Sequence, residues 1–209
     1  MTEAYYDELA PLYHLIYPDW AQHAAQQVAA LDSLIRETWP QTHTLLDVAC
    51  GIGTQALGLA ECGYQVAASD ISAGAVARLE REAAARTLVL DARVADMRAV
   101  AQVWPHPFDV VIACDNAIPH LLSDEDILTA LRAFLHCTRP GGGCILSVRD
   151  YAQIAREDGV RLVPRGVRMV DGQQIIMFDT WTFSGAIYEM ATYMVRDDGT
   201  TPQVQCIRG

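Results

Sequence analysis

The chain contains no lysine: all 15 of its basic residues are arginine. That excludes a P-loop lysine, a Schiff base and the lysine of a Tyr/Lys dehydrogenase pair. Positive charge is scarce altogether, since 26 acidic residues set against 15 basic ones leave a net charge of −11. A phosphate backbone would be repelled, so no nucleic-acid partner is expected. No apolar window of about 18 residues occurs, and the first ten residues carry acids where a signal peptide needs a basic and then an apolar run. No membrane partner and a cytoplasmic location are therefore expected. There is no C-x-x-C pair. Cys50, Cys62, Cys114, Cys137, Cys144 and Cys206 lie scattered in mostly apolar runs and read as reduced thiols, so no disulfide and no metal site is expected. Internal repeats, low-complexity tracts and flexible linkers are also lacking.

What is present is a chain of 209 residues, 51% hydrophobic, enough to bury one sizeable core. We read residues 1–209 as a single domain, with a cap segment and helix in 1–40, a cofactor-binding core in 44–151 and a β meander in 160–209. The centre of that reading is the stretch 45–54. An apolar run containing Asp47 passes through Ala49 into Gly51 and Gly53, and then into a helical pattern that Thr54 is expected to begin. This spacing predicts a strand, a tight turn and a helix N-terminus. The two glycines remove the Cβ atoms that would hold a ligand off the backbone, and the free N–H groups favour an electron-rich partner. Asp70 ends the next apolar run, 19 residues after Gly51, the spacing at which an acid reaches ribose hydroxyls in a βαβ nucleotide site.

Around this centre the elements follow in order. Residues 4–20 hold Tyr5, Tyr6, Tyr13, His14, Tyr17 and Trp20, with Pro11 and Pro18 breaking the backbone, and read as a capping segment and not a core helix, one that either covers one end of the core or acts as a lid over ligand. Apolar positions recurring every three or four residues predict a helix over 21–39. A short helix should close at Gly63, a second strand run over 65–69, and Ser72 cap a helix to about Arg86. A third strand falls within 88–95, followed by Asp96 and Met97. Residues 108–114 form the clearest buried strand. Ser123 with three following acids starts a helix to about Cys137, which the run Arg139-Pro140-Gly141-Gly142-Gly143 ends. Residues 144–148 make a fifth strand. The alternation predicts a doubly wound, mostly parallel α/β sheet with helices on both faces. After it, three β-prone runs separated by Asp171-Gly172 and Ser184-Gly185, with Asp198-Gly199 after the last, predict an antiparallel addition.

Taken together, Asp47 through Thr54, Asp70-Ile71-Ser72, Ala95-Asp96-Met97, Cys114-Asp115-Asn116 with His120-Leu121, and Arg139-Pro140-Gly141-Gly142 resemble a class I S-adenosylmethionine-dependent methyltransferase. Asp115 through Leu121, Val148 through Tyr151, and Tyr13 through Tyr17 are further similar to glycine and sarcosine N-methyltransferases. The resemblance implies a Rossmann-like sheet of the seven-stranded type and S-adenosyl-L-methionine as cofactor. Within it, Gly51 and Gly53 would approach the methionine part, Asp47 and Ala49 shape the turn, and Asp70 accept the ribose hydroxyls. Asp96 would accept the adenine amino group between Met97 and Ile71, with Tyr17, Thr54 and Cys114 completing the cofactor site. Asn116, His120 and Arg149 would face a small-molecule acceptor, His120 helping to remove a proton and a buried Arg149 binding a carboxylate. One departure is that no further helix and antiparallel edge strand can be found after Asp198. The glycine turn also fits a dinucleotide fingerprint, so an NAD-dependent dehydrogenase and a non-catalytic S-adenosylmethionine binder stay open beside the transferase. Oligomeric state is not legible.

Overall fold

The computed structural model describes residues 2–154, 159–197, 199 and 201–209. Helix α1 (Thr2–Leu9) and a 3-10 turn (Tyr13–Ile16) open the chain, followed by α2 (Trp20–Thr38), whose Val28, Leu31 and Ile35 recur at helical spacing and are buried. Then come β1 (Thr44–Asp47), α3 (Ala56–Glu61), β2 (Gln65–Asp70), α4 (Ala73–Ala85), β3 (Asp91–Val94), α5 (Val100–Val103), β4 (Phe108–Ala113), α6 (Asp124–His136) and β5 (Thr138–Leu146). Four long strands close the chain: β6 (Val160–Val170), β7 (Gln173–Ser184), β8 (Ile187–Asp197) and β9 (Gln203–Arg208). The fold divides into two compact units, one of Ala21–Arg149 and one of Met1–Trp20 with Asp150–Gly209.

In the first unit, β1 to β5 form a parallel sheet in the order β3-β2-β1-β4-β5. Successive residues of its central strands are buried on opposite faces. Leu46 and Val111 pack with Val100, Trp104, Ala130 and Phe134 of the α5/α6 side, while Leu45, Val110 and Ile112 on the other face are equally inaccessible. Both faces are thus covered, as the apolar runs required. Ser72 and Ser123 cap α4 and α6 by accepting from the backbone N–H of Ala75 and Asp126. Gly63 has φ +96° just past α3.

Three expectations are corrected here. The sheet of the seven-stranded type that the resemblance implies has, among the described residues, only the five parallel strands read from the alternation, and β6 to β9 pair only with one another. The helix after the glycine turn begins at Ala56, not Thr54, because left-handed backbone at Gly51 and Gly53 keeps the chain in turns up to Gln55. The run 139–143 does not interrupt the chain between helix and strand but lies within β5. Its glycines allow close approach, since a Cβ on Gly142 would collide with the Asp109 carbonyl oxygen and one on Gly143 with the Trp39 ring.

In the second unit, β6 to β9 form an antiparallel meander in sequence order. Asp171 and Gly172 both have positive φ, the pair of left-handed residues that a tight hairpin demands. Asp198 lies outside the described residues. One face of this sheet carries Ile175, Met177, Met194 and Ile207, which bury Tyr5 and Leu9 of α1 together with Leu15. The aromatic N-terminal segment therefore includes a core helix, against expectation. Tyr5 and Leu9 sit one turn apart and present one apolar edge to the sheet. The Arg168 guanidinium holds the following segment by donating from Nε to the carbonyls of Leu15 and Tyr17, 3.0 Å each. Beneath it runs a polar chain. The one hydroxyl proton of Thr192 goes to the Asp179 carboxylate (3.0 Å), so Tyr5 must donate to Thr192 (2.9 Å), and Arg165 closes the chain on the other Asp179 oxygen at 2.8 Å.

Candidate functional site

The expected site residues of the first unit all fall at or just beyond the C-terminal ends of β1 to β5. There, strand order reverses between β1 and β4 and leaves a crevice. Asp47 closes β1 and is fully buried. Its Oδ1 accepts the Ala49 N–H at 3.2 Å, while Oδ2 has no hydrogen-bond partner. Burial, reinforced by the nearby Asp70 and Asp115, pushes this carboxyl up to about 7. The turn above it has two glycines of different use. A Cβ on Gly53 would meet Leu57 and Leu79 within 2.8 Å, whereas beside Gly51 there is nothing within 4 Å. Thr54 is buried in the same turn.

Asp70 ends β2 and binds back to that turn. Its Oδ2 accepts the Gly51 N–H at 2.8 Å and its Oδ1 accepts the Ser72 N–H at 2.9 Å, with Ile71 between. A carboxylate has about four lone-pair sites, so two backbone bonds orient it without exhausting its capacity. Asp96 follows β3, which is in register with β2, and the Ala95 N–H donates to the Asp70 carbonyl at 2.9 Å. Asp96 is gripped by Arg98, whose Nε lies 3.1 Å from both carboxylate oxygens and whose other arm reaches Asp126 of α6 at 2.6 Å. This guanidinium holds Asp96 below the ordinary carboxylate range. Met97 packs against the α5/α6 core.

After β4, Cys114 is buried, and burial pushes its thiol up to about 12. Asp115 and Asn116 then take left-handed φ values of 55° and 70°, strained for non-glycine residues and concentrated at the mouth of the crevice. The Asn116 Oδ1 accepts the Arg149 N–H at 3.1 Å, and the Asp115 N–H donates to the Ser147 hydroxyl at 2.9 Å. These bonds tie the loop after β4 to the end of β5. A backbone N–H can bond only to the amide oxygen, so the Nδ2 of Asn116 is the donor end of the side chain. His120 ends a 3-10 turn (Ile118–His120), and desolvation lowers its imidazole below the ordinary value, favouring the neutral ring. Arg149 is exposed, which corrects the expectation of a buried guanidinium. It lies just past β5, the last strand of the five in sheet order, so a neighbouring strand flanks it on one side alone.

Tyr17 belongs to the other unit, where its carbonyl accepts from Arg168 and its ring lies 6.1 Å from that of Tyr13. Two participants escaped the sequence reading. Arg98 carries the only legible hint, an opposite charge two residues from Asp96. Ser147 has no signal, because its contact with Asp115 spans two loops.

The orphaned Asp47 Oδ2 and the open side of Gly51 fit a ligand bearing positive charge beside the turn. A pyrophosphate fits poorly there, amid the acids Asp47, Asp70 and Asp115. Among the described residues no group of side chains suits a metal ion.

Residues 45–142 match the family model described as a methyltransferase domain. The chain is 30% identical over 136 residues to the glycine/sarcosine N-methyltransferase of Parasynechococcus marenigrum (strain WH8102), covering 65% of this chain and 48% of that protein. It is 30% identical over 129 residues to the ubiquinone biosynthesis O-methyltransferase of Xanthomonas campestris pv. campestris (strain B100), covering 58% and 52%. The chain thus spans about half the length of the curated relatives it matches. Among solved structures it resembles S-adenosylmethionine-bound CalS10, an amino pentose methyltransferase from Micromonospora echinaspora, with a TM-score of 0.76 and 20% identity over 94% of this chain and 78% of that one. That likeness is one of fold.

Proposed function

We propose that the chain is a class I methyltransferase that transfers a methyl group from S-adenosylmethionine to the amine of a small, carboxylate-bearing acceptor such as glycine or sarcosine, a reading supported by the match of residues 45–142 to a methyltransferase domain. The observation that carries this reading is the joint between Asp70 and the Gly51 N–H, with the unpartnered Asp47 oxygen below and Asp96 alongside. In it, an oriented carboxylate for a ribose diol, an open backbone approach and a second carboxylate for an adenine amino group come from adjacent strand ends. S-adenosylmethionine, when bound, supplies an already activated methyl group on a positively charged sulfur.

The chain's own tasks are then binding and orientation. Asp70 receives the ribose hydroxyls, while Gly51 and Ala49 offer backbone beside the methionine part. Asp47 balances positive charge, and Asp96, held by Arg98, receives the adenine amino group between Ile71 and Met97. Tyr17, Thr54, Gly53 and Cys114 complete the proposed cofactor set. Holding an amine in line with the methyl group supplies most of the rate advantage, by removing the entropy of encounter. Asn116 steers the acceptor through its Nδ2. His120, kept neutral by desolvation, accepts a proton from the amine. Arg149 offers a planar fork to a carboxylate, from an exposed position that suits an acceptor entering from solvent. The acceptor amine is favoured by the glycine/sarcosine N-methyltransferase similarity, and the O-methyltransferase at equal identity marks an oxygen nucleophile as the rival.

A methyl-transfer assay over matched acceptors tests the reading. Glycine and sarcosine should be methylated, and the corresponding decarboxylated amines at least about tenfold more slowly by kcat/KM, a loss of about 1.4 kcal/mol for the missing carboxylate. Equal use of the decarboxylated amines would remove the carboxylate-bearing acceptor, and methylation of hydroxyl compounds alone would remove the amine.

A further inference from the structure

The meander has a second face. Cross-strand partners in an antiparallel sheet share a face, and the register sets Val167 beside Ile176, Ile176 beside Val195 and Val195 beside Val204. The same face carries Val160, Leu162 and Met169 of β6. Val160, Leu162, Val167, Met169, Ile176 and Val204 are between 45% and 66% exposed. At the middle of the two central strands, Phe178 and Tyr193 stack with ring centroids 4.9 Å apart and planes within 8°, making a flat apolar platform. The charged residues in register on this face, Glu189, Asp197 and Arg208, stand toward the strand ends. The arginines of β6 instead serve the opposite side, Arg165 through Asp179 and Arg168 through the N-terminal segment.

An apolar sheet face with a charged margin is the anatomy of an interface, and proteins without a partner rarely expose so continuous a patch. We propose that this face of β6 to β9 is the interface of a two-fold homodimer, formed by packing the meanders of two copies face to face. Size supports the occupant. Two strands of 11 residues and one of 12, with a six-residue β9, spaced about 4.8 Å apart at about 3.3 Å per residue, offer about 600 Å² of flat area per copy. Two copies then bury about 1,200 Å², the lower end of specific interfaces. Symmetry supports it too, because a two-fold axis through the Phe178–Tyr193 platform sets each apolar residue against an apolar region of the other copy while the strand-end charges stay at the rim. A lipid surface is the poorer occupant, since the face carries one arginine on a chain of net charge −11.

Light scattering on the full chain across a dilution series tests this. Twice the chain mass is expected for the wild type. Ile176→Asp, on a central strand, and Val167→Asp, on the edge strand β6, should each give the single-chain mass with an unchanged circular dichroism spectrum. If Ile176→Asp loses its folded spectrum, Val167→Asp decides alone. A wild type at single-chain mass throughout the series overturns the proposal, as does a folded Val167→Asp that keeps twice the mass. Single-chain wild type that floats with phosphatidylcholine vesicles overturns it in favour of lipid.

Discussion

Asp47 carries a carboxyl displaced far from the ordinary range by its burial. With its carboxyl near 7 in the folded chain against an ordinary 3.8, the folded state holds a proton that the unfolded state releases at lower pH. Between about pH 4 and 7 stability therefore falls as pH rises, because the unfolded state binds fewer protons there. Asp47→Asn removes this penalty. Its melting temperature should exceed that of the wild type at about pH 8 and converge with it toward about pH 4. Parallel melting curves across that range would show that the buried carboxyl does not titrate in this window. A positively charged ligand beside Asp47 relieves the same penalty, which links the strain in the turn to binding. The placement of Asp47, Gly51, Asp70 and Asp96 at or just past strand ends was legible in the sequence because acids and glycines there interrupt apolar runs. Arg98 and the left-handed Asp115-Asn116 pair were not, since a side chain's choice of partner and a backbone's φ emerge only after the loops meet.

At the scale of elements, capped helices and tight hairpins were the most legible, because Ser72, Ser123 and Asp171-Gly172 act on their own backbones. The misread elements depend on distant partners. Gly142 and Gly143 belong to β5 because Asp109 and Trp39 need the space, and α1 forms because a sheet some 170 residues later covers Tyr5 (its bond to Thr192 spans 187 positions). That helix and the meander share the polar chain ending at Asp179, which is 1% exposed. Arg165→Met removes the cation from a buried carboxylate and should destabilise this unit by about 3 kcal/mol in denaturant unfolding, whereas Arg165→Lys should lose less. A shift below about 0.5 kcal/mol for Arg165→Met would mean that the chain of bonds contributes little.

At the scale of the whole molecule, the sequence pattern was enough to place five parallel strands before three antiparallel ones. The alternation of apolar runs with capped helices admits few other topologies. It did not reveal β9, the strand that follows Asp198, nor that the meander keeps an apolar face uncovered. Both depend on which strands pair, and a period-two pattern reads the same for a face that is buried and one that is exposed. The central claim is that the carboxyl ends of β1 to β3 form an S-adenosylmethionine site organised by Asp70. Calorimetric titration with S-adenosylhomocysteine tests it most directly. The wild type should bind one equivalent, and a folded Asp70→Ala should bind at least about tenfold more weakly, since each charge-assisted bond lost costs about 1.5 to 3 kcal/mol. Equal affinity in the two proteins would contradict the account.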